Sequence, residues 1–183
     1  ENLILGIHFL LLKKCKIFDE KTIVTCYTGR SMRINVRKHE RRGYQSIKMS
    51  NILEKQFLKQ RNDFEKSCVE RDKKYHFPQG VIFETDIAYA KDKNKAHRLD
   101  RYRPKGKETQ ILPVIINVHG GGLLLGNKEF NKYFCALLSK KGFLVYSMEY
   151  RLIPDCTFFD QLRDIFLAMD FVKEHAAADG GDL

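Results

Sequence analysis

The 183-residue chain is long enough to bury a core as one domain, or one domain with an extension, and its 43% apolar content fits a globular protein. Its net charge of +10 is unevenly placed: residues 1–110 hold 26 Lys and Arg against 14 Asp and Glu, while residues 111–183 hold 7 against 9. Five cysteines, Cys15, Cys26, Cys68, Cys135 and Cys156, form no C-x-x-C and no Cys/His spacing suited to zinc, and their odd number argues against a complete disulfide framework. Reduced thiols in a cytoplasmic protein, with no metal and no cofactor, are the simpler reading.

Along the chain, Leu3–Leu12 is apolar but interrupted by Gly6 and His8, too short for a transmembrane segment, and followed by Lys13-Lys14 without a small-residue cleavage site. It reads as a buried strand or helix in preference to a signal core. Between Ile17 and Val36, the β-branched runs Thr22–Thr25 and Met32–Val36 flank Gly29-Arg30 and suggest a hairpin. Ser50–Lys74 contains neither proline nor glycine. Ile52, Leu53, Phe57, Phe64 and Val69 form a narrow apolar stripe there among many charges, the pattern of a long surface helix.

Alternation from Val81 to Tyr89 predicts a half-buried strand, Ala90–Arg98 a turn, and Leu99–Arg103 a second strand closing an antiparallel hairpin. Pro113–His119 is a continuous apolar run, as expected of a strand covered on both faces by helices. Asn127 stands to cap a helix with the apolar face Phe130, Tyr133, Phe134, Leu137 and Leu138, which Gly142 terminates. Phe143–Tyr150 reads as another buried strand, ended by Pro154. Thr157-Phe158-Phe159-Asp160 has the form of a capping box, opening a helix with its apolar face at Phe158, Leu162, Ile165, Phe166, Met169 and Val172. Strand, helix, strand, helix at this spacing predicts right-handed parallel crossovers in an α/β sheet.

His119-Gly120-Gly121-Gly122 ends the first of these buried strands. Glycines without Cβ let successive N–H groups turn toward a developing alkoxide, which suits an oxyanion hole. Such a loop can instead hold phosphate at a helix N-terminus, but neither G-x-x-x-x-G-K-[ST] nor G-x-G-x-x-G is present. Gly126 follows at the HGGG-x-x-x-G spacing, Glu149-Tyr150-Arg151-Leu152-Ile153-Pro154-Asp155 ends the next strand, and Leu99-Asp100-Arg101-Tyr102-Arg103-Pro104 lies upstream. With these blocks, residues 81–183 resemble the hormone-sensitive-lipase-like branch of the α/β-hydrolase fold, the HGGG esterases and lipases.

The resemblance implies a serine hydrolase that forms an acyl-enzyme from a small-molecule carboxylic ester. It implies a partial α/β-hydrolase sheet over residues 81–183, an antiparallel hairpin followed by parallel strands with flanking helices. Residues 1–80 would be a basic N-terminal extension able to contribute to a cap. Gly121 and Gly122 map onto the oxyanion donors, with Gly120 and Gly126 completing the loop motif, and His119 would orient the loop without serving as catalytic base. Tyr150, Arg151 and Pro154 match a structural block, in which Glu149, Ile153 and Asp155 replace the family's Asp, Ala and Glu. Arg101 and Arg103 stand where family members tend to carry apolar residues.

No G-x-S-x-G occurs in the chain and no serine follows Ser147, so nucleophile, acid and base cannot be assigned to it. The expectation is an N-terminal portion of such a hydrolase, opening at Glu1 in place of methionine, inactive alone, with an unpaired apolar strand edge. Two other classes stand beside it. One is a basic binding module, with Ser50–Lys74 and the cluster Arg37-Lys38-His39-Glu40-Arg41-Arg42 on nucleic acid or an acidic surface, disfavoured because charged stretches are more often solvated surface. The other is a non-catalytic hydrolase scaffold. His8, His39, His76, His97 and His175 show no ligand spacing and read as surface or satisfied histidines.

Overall fold

The apolar runs around residues 112–118 and 144–148 leave no face for water, and a strand of this kind is stable only between two covering layers. The computed structural model describes the backbone of residues 51–183, with side chains from Ile52 onward. Within residues 1–50 it describes only the backbone of three short strands, His8–Leu11 (β1), Ile23–Cys26 (β2) and Arg30–Arg33 (β3). The order continues with α1 (Asn51–Asp72), β4 (Val81–Ala88), β5 (Arg98–Pro104), β6 (Leu112–Val118), a 3-10 turn at Lys128–Asn131, α2 (Lys132–Lys140), β7 (Leu144–Met148), α3 (Phe158–His175) and β8 (Gly181–Asp182).

The main sheet has the order β1-β6-β7-β5-β4. As expected, β6 and β7 are parallel neighbours, Val114 opposite Leu144 and Val118 opposite Met148, while β4 and β5 form the antiparallel hairpin. Alternate residues of the central strands face opposite layers. Leu99, Val114, Ile116, Leu144, Tyr146 and Met148 pack with Ala168, Met169 and Val172 of α3, whereas Tyr102, Ile115 and Val145 pack with Cys135 and Ala136 of α2. One helix therefore covers each face, the arrangement that right-handed β-α-β crossovers produce.

Five sequence expectations change. The outer edge of β6 is paired: β8 runs parallel to its start at Leu112 and Pro113, and β1 runs antiparallel along Ile115–Val118, so β6 has no unpaired edge there. At the far edge of the sheet from β1 lies β4, which is largely exposed; a bulge between Glu84 and Ile87, with Asp86 at φ 60°, interrupts its alternation. In α2 the buried residues are Cys135, Ala136 and Ser139, and Leu137 is 53% exposed, because the 3-10 turn delays the helix to Lys132 and rotates its face. Asn127 precedes that turn without a side-chain capping bond. In α3, Phe158 is 42% exposed and the buried stripe runs through Gln161, Leu162, Asp164, Ala168, Met169 and Val172.

The N-terminal hairpin forms between β2 and β3, two residues earlier on its second strand than the β-branched run suggests, and β1 lies within the apolar Leu3–Leu12 segment. The basic cluster at 37–42 falls outside the described residues. Arg101 and Arg103, the two departures on β5, are accommodated by Asp179 in the turn after α3, by Glu84 of β4 and by the β5–β6 loop. Arg101 pairs with Asp179 and Glu84, Tyr146 donates its hydroxyl to Asp179 at 2.6 Å, and Arg103 hydrogen-bonds the carbonyls of Asp179, Lys107, Glu108 and Gln110. A guanidinium supplies enough donors to satisfy several carbonyls at once.

Helix α3 begins as the sequence predicts, with Thr157 accepting from the Asp160 N–H and the Asp160 carboxylate accepting from the Thr157 N–H at 2.9 Å. Burial pushes the Asp160 carboxyl up, but the Thr157 bonds and the Arg151 and Arg163 charges outweigh it and leave the group below its usual 3.8. Its stabilisation is therefore full above that value and is lost as pH falls below it. We expect Thr157→Ala to lower unfolding stability by about 1 kcal/mol at neutral pH and to flatten the acid limb of a denaturant-midpoint-versus-pH curve, with Thr157→Ser close to wild type.

Candidate active site

The loop leaving β6 is built by close approach. An added Cβ at Gly121 would lie 1.9 Å from the Leu125 carbonyl oxygen, and one at Gly126 would lie 2.4 Å from the Gly120 oxygen and 2.6 Å from His119 Nδ1. Both residues also have positive φ, 135° and 95°. Gly122, at φ 62°, is exposed, with nothing within 4 Å of such a Cβ. Leu123 then takes φ 71°, a left-handed conformation that a residue with a side chain adopts only when its surroundings impose it.

Peptide planarity converts these contacts into donor directions. A trans peptide points its C=O and the following N–H in opposite directions. The Gly120 oxygen is 3.0 Å from His119 Nδ1, which turns the Gly121 N–H the other way. The Gly121 oxygen accepts the N–H groups of Leu124 and Leu125 at 3.2 and 3.0 Å, which turns the Gly122 N–H away from the loop. Among the described residues, neither the Gly121 nor the Gly122 N–H makes a hydrogen bond. Two adjacent free donors are thus presented at the C-terminal end of β6.

Glu149, immediately after β7, fixes the ends of this loop. Its Oε1 is 2.9 Å from His119 Nε2, and its Oε2 accepts the Lys128 N–H at 3.1 Å. The buried His119 ring also stacks on Tyr150 at 4.3 Å, and the Tyr150 hydroxyl donates to the His119 carbonyl at 2.9 Å. Both nitrogens of His119 are therefore engaged in holding the loop. Lys128, itself buried, reaches Asp100 at 2.9 Å and Asp86 at 3.1 Å. Burial opposes its charge, yet the Asp100 hydrogen bond and charge, with Asp86 and Glu129, raise its pKa. Behind it, Asn117 donates to Ser147 and Ser147 to the Lys128 carbonyl, so the base of the loop is a hydrogen-bonded polar network.

Arg151 is tied to Asp164, which is fully buried, through its backbone N–H at 3.0 Å and its guanidinium at 2.7 Å. His97 closes the same cluster, with Nε2 3.0 Å from Asp164 and Nδ1 2.7 Å from Asp92. Gln161 donates from Nε2 to the carbonyls of both Leu123 and Arg151 at 2.9 Å. Pro154 follows a cis peptide in this segment, and the Ile153 N–H donates to the Leu123 carbonyl at 3.1 Å. The structure so gathers His119, Gly120, Gly121, Gly122, Gly126, Tyr150 and Arg151 around one loop. The sequence reading did not single out Gln161, Asp164, His97 or Arg61 as parts of it; only the polar residues Gln161 and Asp164, interrupting the apolar pattern of α3, could have signalled two of them.

The thiols nearby are poor nucleophiles. Burial pushes Cys156 up to about 11 and Cys135 up to about 12, so both are protonated near neutral pH. Among the described residues, no group of three or more His, Cys, Asp or Glu could hold a metal ion.

A family model described as BD-FAE matches residues 99–182. Over 86 residues the chain is 34% identical to the "Probable isoprenylcysteine alpha-carbonyl methylesterase ICMEL1" of Arabidopsis thaliana, which covers 47% of this chain and 18% of that protein. Esterase B from Lactobacillus rhamnosis superposes with a TM-score of 0.63 at 28% identity, over 71% of this chain and 42% of that one. The described sheet is thus that of a partial α/β-hydrolase fold, and residues 99–182 are similar to esterases of that fold. A bacterial heroin esterase superposes with a TM-score of 0.56 at 26% identity, over 67% of this chain and 38% of its own. The chain thus spans under half the length of these relatives. Among the described residues, no helix is long and apolar enough to cross a membrane.

The glycine geometry yields a graded expectation. Gly121→Ala places a Cβ against backbone and should cost more than 2 kcal/mol, whereas Gly122→Ala meets open space and should cost only the left-handed penalty of about 1–2 kcal/mol. Urea unfolding of the two variants checks the difference, and equal losses would contradict the close approach at Gly121.

Proposed function

We propose that this chain supplies the oxyanion hole of a serine carboxylesterase acting on a small-molecule ester. Gly121 and Gly122 would donate their N–H groups to the alkoxide of the tetrahedral intermediates, while His119 orients the loop. The observation that carries this reading is the pair of unengaged N–H groups, each aimed outward because the carbonyl of its own peptide unit is hydrogen-bonded inward. Donors fixed before the reaction need no reorganisation as charge develops, and each is worth about 3 kcal/mol of barrier.

The nucleophile, acid and base of the reaction would lie outside these 183 residues, since the sequence contains no G-x-S-x-G. An oxyanion hole without a nucleophile retains only a small part of acyl-transfer catalysis. Free Cys68, Cys135 and Cys156 support a reducing, cytoplasmic setting.

Two measurements test the reading. The 183-residue chain should neither hydrolyse p-nitrophenyl acetate above a buffer control nor react with a fluorophosphonate serine probe; labelling of one of its own serines would place the nucleophile within it. The full-length gene product should hydrolyse the ester, and Gly122→Pro, which lacks the N–H, should reduce kcat by about a hundredfold or more. An active Gly122→Pro enzyme would remove Gly122 from the oxyanion hole.

A further inference from the structure

Helix α1 lies across the glycine loop, and one of its basic residues is directed inward. Lys55, Lys59, Lys66 and Lys73 are exposed, but the Arg61 side chain is only 16% exposed. Its three nitrogens reach three acceptors on two separate segments. Nε donates to the Leu124 carbonyl at 3.2 Å, one terminal nitrogen to the Ile153 carbonyl at 2.9 Å, and the other to the Asp155 carboxylate at 3.1 Å. A planar guanidinium fork can satisfy acceptors in three directions, which an ammonium cannot reproduce in the same geometry.

The place of contact matters more than the number of bonds. Leu123 is the left-handed residue of the loop, and its carbonyl is held by the Ile153 N–H and by Gln161. The next carbonyl, that of Leu124, is held by Arg61 from α1. Arg61 also grips the Ile153 carbonyl, so it staples the glycine loop to the segment that supports it. The N–H on the peptide unit of the Leu124 carbonyl, that of Leu125, donates to the Gly121 carbonyl at 3.0 Å, and the Gly121 peptide carries the Gly122 N–H.

We propose that Arg61 is a positioning residue for the oxyanion hole: by fixing the Leu124 peptide it maintains the turn that aims the Gly122 N–H. The proposal rests on the oxyanion reading above. It makes α1 part of the catalytic apparatus without any α1 atom touching the substrate. The helix has other anchors, since Phe64 packs on Phe130 with ring centroids 5.2 Å apart, Arg71 donates to the Phe130 carbonyl at 3.0 Å, and Asp72 pairs with Lys132 at 2.8 Å. Removing the Arg61 guanidinium should therefore loosen the loop and leave the helix docked.

Amide-hydrogen exchange on this chain reads the loop directly. In Arg61→Gln, exchange of the hydrogen-bonded Leu124 and Leu125 amides should quicken by about tenfold or more while Val114–Val118 of β6 stays slow, with Arg61→Lys intermediate and Lys66→Gln unchanged. In the full-length gene product, Arg61→Gln should lower kcat on an activated short-chain ester by roughly tenfold to a hundredfold with KM altered less than about twofold. Unchanged loop exchange would overturn the staple, as would accelerated exchange extending through β6, which would mark a general structural loss. If Gly122→Pro abolishes activity and Arg61→Gln does not, the positioning role fails while the oxyanion hole stands. If neither variant affects an active enzyme, it is the oxyanion reading that fails.

Discussion

Glu149 holds one hydrogen bond at each end of the loop between β6 and the 3-10 turn, to His119 Nε2 and to the Lys128 N–H, and the shape of everything between depends on that closure. A segment carrying four glycines has more backbone freedom to lose on ordering than one of the same length without them. A carboxylate at the end of the neighbouring parallel strand is well placed to limit that loss, because the β6–β7 register sets the distance it must span. Where the family carries Asp, this chain carries the longer Glu, and the extra methylene group still lets both carboxylate oxygens reach their donors.

Around that closure the loop is constrained from several directions. His119 works from within, Ile153 and Gln161 hold the Leu123 carbonyl, and Arg61 holds the Leu124 carbonyl from α1. Convergence of this kind is what a left-handed leucine requires, since its conformation would relax if the surrounding bonds were absent. Among the described residues it leaves the Gly121 and Gly122 N–H groups, which face outward, without a hydrogen bond. Beneath it, the buried Asp100–Lys128 pair and the Asn117–Ser147 bond join the loop to β5, β6 and β7.

The two arginines of β5 show how a departure from a family pattern is absorbed. At 101 and 103 they alternate with Tyr102, so they share the face of the sheet on which α3 packs. Rather than entering the apolar core, they reach Asp179 in the turn following α3, and Arg103 also bonds carbonyls of the β5–β6 loop at Lys107, Glu108 and Gln110. That turn leads directly into β8, so the arginines also fix where the chain returns to β6.

The sequence by itself determined the elements whose cause is local. Parallel β6 and β7, the β4–β5 hairpin, the α1 helix, the Thr157 capping box and Gly142 as the end of α2 follow from hydrophobic period and capping chemistry within a few residues. The HGGG loop was legible for the same reason, because glycine is demanded by local φ and by approach to atoms only four or six residues away. Tertiary structure alone decided the rest. Arg61 meets Leu124 and Ile153 across 63 and 92 residues, and His97 meets Asp164 across 67. Arg61, one charged residue among many on the polar side of α1, carries no local mark of whether it faces water or a distant carbonyl. The rotated face of α2 and the paired edge of β6 were likewise set by packing and strand register, which depend on where separate elements come to rest and not on the pattern within any one of them.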